Sequence, residues 1–271
     1  MCVICGSLAP LLTPSPAVIA LLAAVALVAG LVDAIAGGGG LLTVPVLLAV
    51  GLPTDVALGT NKAQAVFGAG SAVAGYAHAG QLSSARAWLT FPAAFLGSLA
   101  GVALVLLVDP KALRPLVIVL LVVAAAIVAL RRPGAPKTNK PPIEGRAATL
   151  LALGIALAIG AYDGFFGPGT GTFAMLAFVM LCREPVTRAT GDAKVLNFGS
   201  NLAAVISFAL HGRVVVAIAL PMAVAQLVGG FVGARIAVRG GERLIRATVL
   251  LVVLGLVAKV AWDLWRAHEG R

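Results

Sequence analysis

The stretch VDAIAGGGGLLTVP at residues 32–45 decides how this chain can fold. It places four consecutive glycines inside an apolar run, shortly after the acidic residue Asp33. Glycine allows a sharp turn, and a half-helix that starts after such a turn presents unshielded N–H groups and the positive end of its dipole. The stretch therefore predicts a broken helix whose turn can hold an anion.

A second stretch, YDGFFGPGTGTF at residues 162–173, repeats this pattern in the other half of the chain. Self-similarity at a fixed spacing indicates structural repeats, and the shared acidic and basic positions carry more weight than the glycines in so apolar a chain. The matching pairs, spaced by 130 and then by 132 residues, are Asp33 and Asp163, Gly37 and Gly167, Gly39 and Gly169, Pro53 and Pro185, Lys62 and Lys194, Gly97 and Gly229, and Gly101 and Gly233.

The composition is that of a membrane protein. The chain has 271 residues, of which 61% are hydrophobic and 11% charged, with a mean hydropathy of +1.06. Soluble domains carry roughly 25% charged residues. At about 20 apolar residues for each crossing helix, the length accommodates roughly eight to ten segments and no separate soluble domain. We therefore expect an all-α polytopic membrane protein.

The net charge of +10 indicates a positive-inside bias and contact with anionic lipid headgroups rather than nucleic-acid binding. The longest polar stretch, RRPGAPKTNKPPIEGR at 131–146, is rich in proline and basic residues. We expect it to be a cytoplasmic linker that joins a first transmembrane repeat at 17–130 to a second one at 147–262.

Two apolar segments, 41–50 and 171–182, are too short to cross a hydrocarbon core of about 30 Å. We expect each to form a glycine-broken hairpin with the helix before it, followed by three spanning helices. If each repeat crosses the membrane an odd number of times, the two repeats are inverted, and if the number is even, they are parallel. Inverted repeats place the basic stretches 131–146 and 235–246 on the same side of the membrane, and parallel repeats separate them. Because basic stretches are expected on the cytoplasmic side, the charges favour inverted repeats. The uncharged runs of helix length are 17–32, 63–78, 87–108, 115–130, 147–161, 195–210 and 214–234, and a further run at 244–262 is interrupted by Arg246 and Lys259.

The two glycine breaks are the first candidate for a binding site. Broken helices at corresponding positions of two repeats point to a transporter's substrate site near the membrane midplane. Close helix packing through small residues is the alternative, whereas a nucleotide-binding loop is discounted because no Lys-Ser/Thr pair follows the glycines. The candidate residues, whose amides we expect to be free for an anion, are Gly37, Gly38, Gly39, Gly40, Gly167, Gly169, Thr170 and Gly171.

Polar stripes on two apolar helices are the second candidate. A polar side chain inside a membrane is costly unless it faces protein or water, so both stripes should face the interior. The amides can donate hydrogen bonds to an oxyanion, and the lysines can supply charge or, alternatively, snorkel to the headgroups. The residues of these stripes are Asn61, Lys62 and Gln64 in the first repeat, and Lys194, Asn197 and Asn201 in the second.

Four titratable residues have either a coupling or a structural role. Asp33 and Asp163 lie beside the breaks, where they can pair with lysines, carry a proton or cap the broken helices. His78 and His211 end matching helices and could relay protons. We expect no catalytic residues, no metal site and no cofactor, because the chain lacks clustered ligands and the motifs HExxH and GxSxG.

The residues GGGGLLTVPVLLAVGLPTDVALGTNKAQAVFGAGS at 37–71 and YDGFFGPGTGTFAMLAFV at 162–179 resemble the duplicated signatures of the TauE/SafE family of sulfite exporters. The resemblance extends from about residue 17 to 260. It implies a multi-pass inner-membrane transporter that exports small sulfur-containing anions such as sulfite, sulfonates or sulfoacetate. A passive anion channel and an importer of a related oxyanion are the alternatives. The expected partners are a small anion and the bilayer, and the sequence leaves a homo-oligomer open.

Overall fold

The computed structural model describes residues 14–82, 84–130, 143 and 145–240, and every regular element in this part is an α-helix. The expectation of an all-α chain is confirmed for these residues. Most of the linker at 131–146 and the helix predicted at 244–262 lie outside them. The helices are α1 (Pro16–Ala36), α2 (Gly39–Ala49), α3 (Thr54–His78), α4 (Ser84–Leu106), α5 (Pro110–Leu130), α6 (Gly145–Phe165), α7 (Thr170–Leu181), α8 (Val186–Leu210) and α9 (Val216–Gly240).

Five helices of the described part are long and apolar enough to cross a membrane: α1, α6, α8, α9 and the portion Ala87–Leu106 of α4. In contrast, α2 has 11 residues and α7 has 12. At 1.5 Å for each residue they measure about 17–18 Å, roughly half of a hydrocarbon core. The structure therefore has the two short helices that the sequence predicts.

Each short helix folds back along the helix before it. The first helix ends at Gly37, which has a φ of +83° and donates its N–H to the Asp33 carbonyl. Beyond this turn, Leu47 of α2 reaches the buried cluster that contains Leu22 of α1. In the second repeat, Ile143 donates its N–H to the Cys182 carbonyl (3.2 Å), which joins the start of α6 to the end of α7. Both pairs are antiparallel hairpins.

The helices α3 and α8 are longer than the uncharged runs predicted. They begin at Thr54 and Val186, whereas the runs begin at residues 63 and 195. The sequence placed Lys62 and Lys194 on polar helical stripes or, alternatively, near helix ends, and the structure places both within their helices. Both lysines are buried inside their helices, where carboxylates neutralise them.

Glycines let helices of different repeats approach closely. A Cβ added to Gly97 of α4 would lie 2.1 Å from the Leu157 carbonyl oxygen of α6. The equivalent contact joins α9 to α1, because a Cβ on Gly229 would lie 2.2 Å from the Leu27 carbonyl oxygen. The two contacts are equivalent: α4, the fourth helix of the first repeat, packs against α6, the first helix of the second, and α9 packs against α1 in the same way.

The third helices of the two repeats pack antiparallel. Gly59, near the start of α3, lies against Phe208 and Arg213 at the end of α8, where an added Cβ would be 2.1 Å from the Arg213 carbonyl oxygen. Gly191, near the start of α8, lies against Gln81 just beyond α3. This arrangement brings the polar stripes of α3 and α8 together in the middle of the protein.

We predict that Gly164→Ala destabilises the protein, whereas Gly154→Ala on the same helix does not. A Cβ at Gly164 would lie 2.1 Å from the Ser98 carbonyl oxygen, but one at Gly154 meets nothing within 4 Å. Overpacking should cost about 1–3 kcal/mol, whereas alanine in an open helical position should gain about 0.5–1 kcal/mol over glycine. Thermal unfolding of the detergent-solubilised proteins measures both. Equal unfolding midpoints would show that close packing at Gly164 is unimportant.

Candidate functional site

The two glycine breaks meet at the centre of the described structure. Gly37 packs directly against Gly171. A Cβ added to Gly37 would lie 2.2 Å from the Gly171 carbonyl carbon. The Thr172 hydroxyl donates a hydrogen bond to the Ala36 carbonyl (2.7 Å). The first turns of α2 and α7 therefore converge, and the positive ends of both helix dipoles lie in one region.

Two ion pairs cross between the repeats at this point. Lys62 Nζ lies 2.7 Å from Asp163 Oδ1, and Lys194 Nζ lies 2.8 Å from Asp33 Oδ2. The lysine side chains are 2% and 0% exposed. The snorkelling alternative is therefore wrong for both lysines, because neither ammonium group reaches the surface.

The two carboxylates differ in their other partners. Asp163 also accepts hydrogen bonds from the hydroxyls of Thr170 (2.7 Å) and Ser200, and its side chain is 2% exposed. Asp33 instead accepts the backbone N–H of Gly39 (3.2 Å), and its side chain is 14% exposed. Asp33 thus lies at the N-terminus of α2, where negative charge is favourable. The sequence left open whether these carboxylates pair or cap, and Asp33 does both.

Side-chain amides line the same region. Asn61 Oδ1 accepts hydrogen bonds from the Thr43 hydroxyl (2.6 Å) and from Gln64 Nε2 (3.1 Å). On the facing helix, Asn197 Oδ1 accepts a hydrogen bond from Asn201 Nδ2 (2.8 Å). Because the oxygens of Asn61 and Asn197 are the acceptors, their NH₂ groups are oriented as donors for a ligand.

These groups surround one small cavity, with a volume of about 20 Å³. Such a volume holds roughly one water molecule. An anion with three or four oxygens needs more room, so the described conformation does not accommodate one. The residues that line the cavity are Asp33, Gly37, Gly40, Asn61, Lys62, Ala65, Asp163, Gly167, Gly169, Gly171, Asn197, Asn201 and Gln226.

Several backbone amides of the breaks are already bonded, contrary to the expectation from the sequence. The N–H groups of Gly37 and Gly39 both donate to Asp33, and that of Thr170 donates to the Gly167 carbonyl (3.1 Å). The reason is local, because a tight turn and a capping carboxylate take up the first amides of a helix.

Five amides of the breaks, those of Gly38, Gly40, Gly167, Gly169 and Gly171, donate no hydrogen bond between elements of the described residues, and we single out Gly40 and Gly171. Each is the second residue of its short helix, and both line the cavity. Fewer amides of the breaks are therefore open to a ligand than the sequence predicts.

Some sequence candidates lie away from the cavity. His78 and His211 are exposed at the ends of α3 and α8, where Nδ1 of each lies 2.7–2.8 Å from the carbonyl one turn earlier. His78 follows Lys62 by 16 residues, about 24 Å along the helix. Gly38 precedes the first turn of α2, and Gln64 contacts the site through Asn61.

The sequence analysis missed Ser200 and Gln226. Ser200 belongs to the polar stripe of α8 but was passed over for the larger amides. Gln226 lies within the apolar helix α9, is 2% exposed, and its Oε1 has no hydrogen-bond partner in the described part of the chain. A single amide in an otherwise apolar membrane helix is the signal that could have identified it.

Comparison with known proteins identifies the family. The family described as "Sulfite exporter TauE/SafE" matches residues 22–260. The probable membrane transporter protein YfcA of Escherichia coli K12 is 36% identical over 249 residues, 92% of this chain and 91% of that protein. The probable membrane transporter protein ORF9 of a Sinorhizobium species is 35% identical, over 92% of this chain and 97% of that protein.

A probable membrane transporter protein of Haemophilus influenzae is similar to the same extent, at 36% identity over 90% of this chain and 95% of that protein. No solved structure matches the chain. The family match and these near full-length similarities agree with the duplicated glycine breaks and the five apolar helices. The chain therefore belongs to the TauE/SafE sulfite exporter family.

Proposed function

We propose that this protein exports small sulfur-containing anions, of the sulfite, sulfonate or sulfoacetate class, across the inner membrane by alternating access. The observation that carries the proposal is the convergence of two half-helix N-termini and the buried Lys62 on one cavity, with the buried Lys194 paired to Asp33 at its edge. Helix N-termini bind anions because their N–H groups and dipoles point at the ligand.

The donors at the cavity suit an oxyanion. The amides of Gly40 and Gly171 and the side chains of Asn61 and Asn197 offer N–H groups from both repeats. Hydrogen bonds to charged groups contribute about 1.5–3 kcal/mol each. Export of an anion is favoured by an inside-negative potential, by about 2.3 kcal/mol for each charge and 100 mV.

The small volume of the cavity supports alternating access rather than a permanently open pore. An ion pair joins the start of α3 to the loop after α8, because Arg213 Nη1 lies 2.9 Å from Asp55 Oδ2. At the matching positions of the other repeat stand the uncharged residues Gln81 and Thr187. A partly exposed pair of this kind contributes only about 0–1 kcal/mol, so it can break during each transport cycle.

We also infer that the repeats are inverted. Their equivalent helices α3 and α8 run antiparallel, and each repeat begins with a hairpin that returns to its own side. This orientation puts the linker at 131–146 in the cytoplasm. The loop that follows α3 then lies on the cytoplasmic side and the loop that follows α8 on the outside.

In intact cells, we expect an impermeant maleimide to label His211→Cys but not Ala79→Cys, in a background without the native cysteines. The two positions correspond in the repeats, and both are exposed. Thr138→Cys in the linker should be protected as well. Labelling of both loop positions, or of neither, would indicate parallel repeats.

A ligand panel tests the proposed substrate class. Sulfite, thiosulfate, sulfoacetate, sulfate and carboxylates are compared by the thermal shift of the purified protein. Gly40→Ala should abolish the shift, because Gly40 lines the cavity; the added Cβ would lie 3.2 Å from Pro168 Cα, so Pro168 has to move by a few tenths of an ångström. Gly154→Ala, which meets nothing within 4 Å, is the matched control. If Gly40→Ala binds the anion as well as the wild type does, the binding site is not this cavity.

Transport in proteoliposomes separates the proposed carrier from a passive channel or an importer. A carrier shows saturable flux and counterflow of labelled anion, whereas a pore shows neither. Net flux that runs outward under an inside-negative potential is expected for an exporter. Unsaturable flux without counterflow would favour the channel.

The Lys62–Asp163 pair gives a stability prediction. Lys62→Met leaves a buried carboxylate unpaired and should cost about 3–5 kcal/mol. Adding Asp163→Asn should restore most of this loss, because asparagine is neutral and keeps an oxygen for Thr170 and Ser200. Thermal unfolding of the single and double variants checks the prediction. If the double variant is as unstable as Lys62→Met alone, the unpaired charge is not the cause of the lost stability.

A further inference from the structure

We infer that Asp33 takes up one proton when the site binds its anion, so that the protein carries a proton together with the anion. This inference rests on the proposed function and adds a second, coupled ligand to it. The observations that support it are the charges at the cavity, the different environments of the two carboxylates, and the position of Lys194 beside Gly171.

The charges at the cavity cancel before any anion arrives. Lys62 and Lys194 are neutralised by Asp163 and Asp33. An added anion therefore brings uncompensated negative charge into a largely buried region, and burying an unpaired charge is very unfavourable. A proton on one carboxylate removes this excess and releases a lysine to contact the anion.

Asp33 is better placed than Asp163 to take the proton. Asp163 accepts three hydrogen bonds from side chains and is 2% exposed, so protonating it would disturb three contacts. Among the described residues, Asp33 accepts hydrogen bonds from Lys194 and from the Gly39 N–H, the latter at 3.2 Å, and it is 14% exposed. Protonating Asp33 therefore disrupts fewer contacts, and water reaches it more easily.

The titratable and polar side chains near Asp33 belong to the helices α3, α6, α8 and α9. Lys194 on α8 pairs with it, Lys62 on α3 and Asp163 on α6 line or border the same cavity, and Tyr76 on α3 donates its hydroxyl to the neighbouring Ala34 carbonyl. Neither α2 nor α7 contains a titratable side chain, and α9 contributes the neutral amide of Gln226.

The proton step moves few atoms. A proton from the solvent binds a carboxylate oxygen of Asp33. One N–H of the Lys194 ammonium then no longer donates to Asp33 Oδ2 and donates to an oxygen of the anion instead. Lys194 Nζ already lies 3.0 Å from the Cβ position of Gly171, whose amide borders the cavity. When the anion leaves, Asp33 releases the proton to water and forms its ion pair with Lys194 again. With a dianion, one net negative charge crosses, so the inside-negative potential still favours export.

The test measures anion affinity as a function of pH. Methanesulfonate and sulfate serve as probes because their own charge is constant between about pH 5.5 and 8.5. Uptake of one proton makes the affinity of the wild type rise about tenfold for each unit of falling pH, above the pH at which Asp33 is protonated without anion. A pH-indicator dye in weakly buffered solution should report one proton taken up for each anion bound.

Two matched double variants assign the proton. Asp33→Asn/Lys194→Met should bind with the same affinity at every pH, whereas Asp163→Asn/Lys62→Met, the equivalent pair, should keep the tenfold slope. Both variants remove one charge of each sign, so neither leaves a buried charge unpaired. The single variant Asp33→Asn, which frees Lys194, should bind at high pH as tightly as the wild type does at low pH.

The outcomes separate the proton inference from the proposed function. Wild-type binding that does not change with pH, without proton uptake, would overturn the inference but leave the proposed function standing. A slope that survives in Asp33→Asn/Lys194→Met would overturn the assignment to Asp33. If neither probe stabilises the wild type or Asp33→Asn at any pH, the proposed anion function fails, and the inference fails with it.

Discussion

The cost of burying charge in a membrane protein is the constraint on which the rest of this structure depends. Lys62 and Lys194 are inside their helices, and a lone ammonium group there would be prohibitively unfavourable. Each therefore pairs with an aspartate, and in both cases the aspartate belongs to the other repeat. Neither repeat can satisfy its own charges, so the two halves must assemble around one shared site.

Small residues make this assembly geometrically achievable. Where α4 meets α6 and α9 meets α1, glycines allow backbone to approach backbone, and at the centre Gly37 meets Gly171. These contacts bring the carboxylates of α1 and α6 within reach of the lysines of α8 and α3. Gly37 packs against Gly171, which is the role that the sequence analysis named as the alternative to binding.

Duplication gives the site two similar halves, and small differences make them unequal. Asp163 is enclosed by Thr170 and Ser200, whereas Asp33 caps α2 and remains partly exposed. A transporter needs such inequality, because identical halves would respond identically to ligand and proton. The proposed division of roles, with one carboxylate structural and the other titrating, follows from these few hydrogen bonds.

The sequence by itself determined the all-α fold, the two short helices and the polar residues of α3 and α8, because each leaves a local pattern of hydropathy or spacing. It left open whether the lysines end their helices or lie within them, and it missed Gln226. Those features depend on partners distant in the chain. Whether a lysine ends a helix or lies within it is decided by a carboxylate about 100 residues or more away, and only the tertiary structure brings the two together.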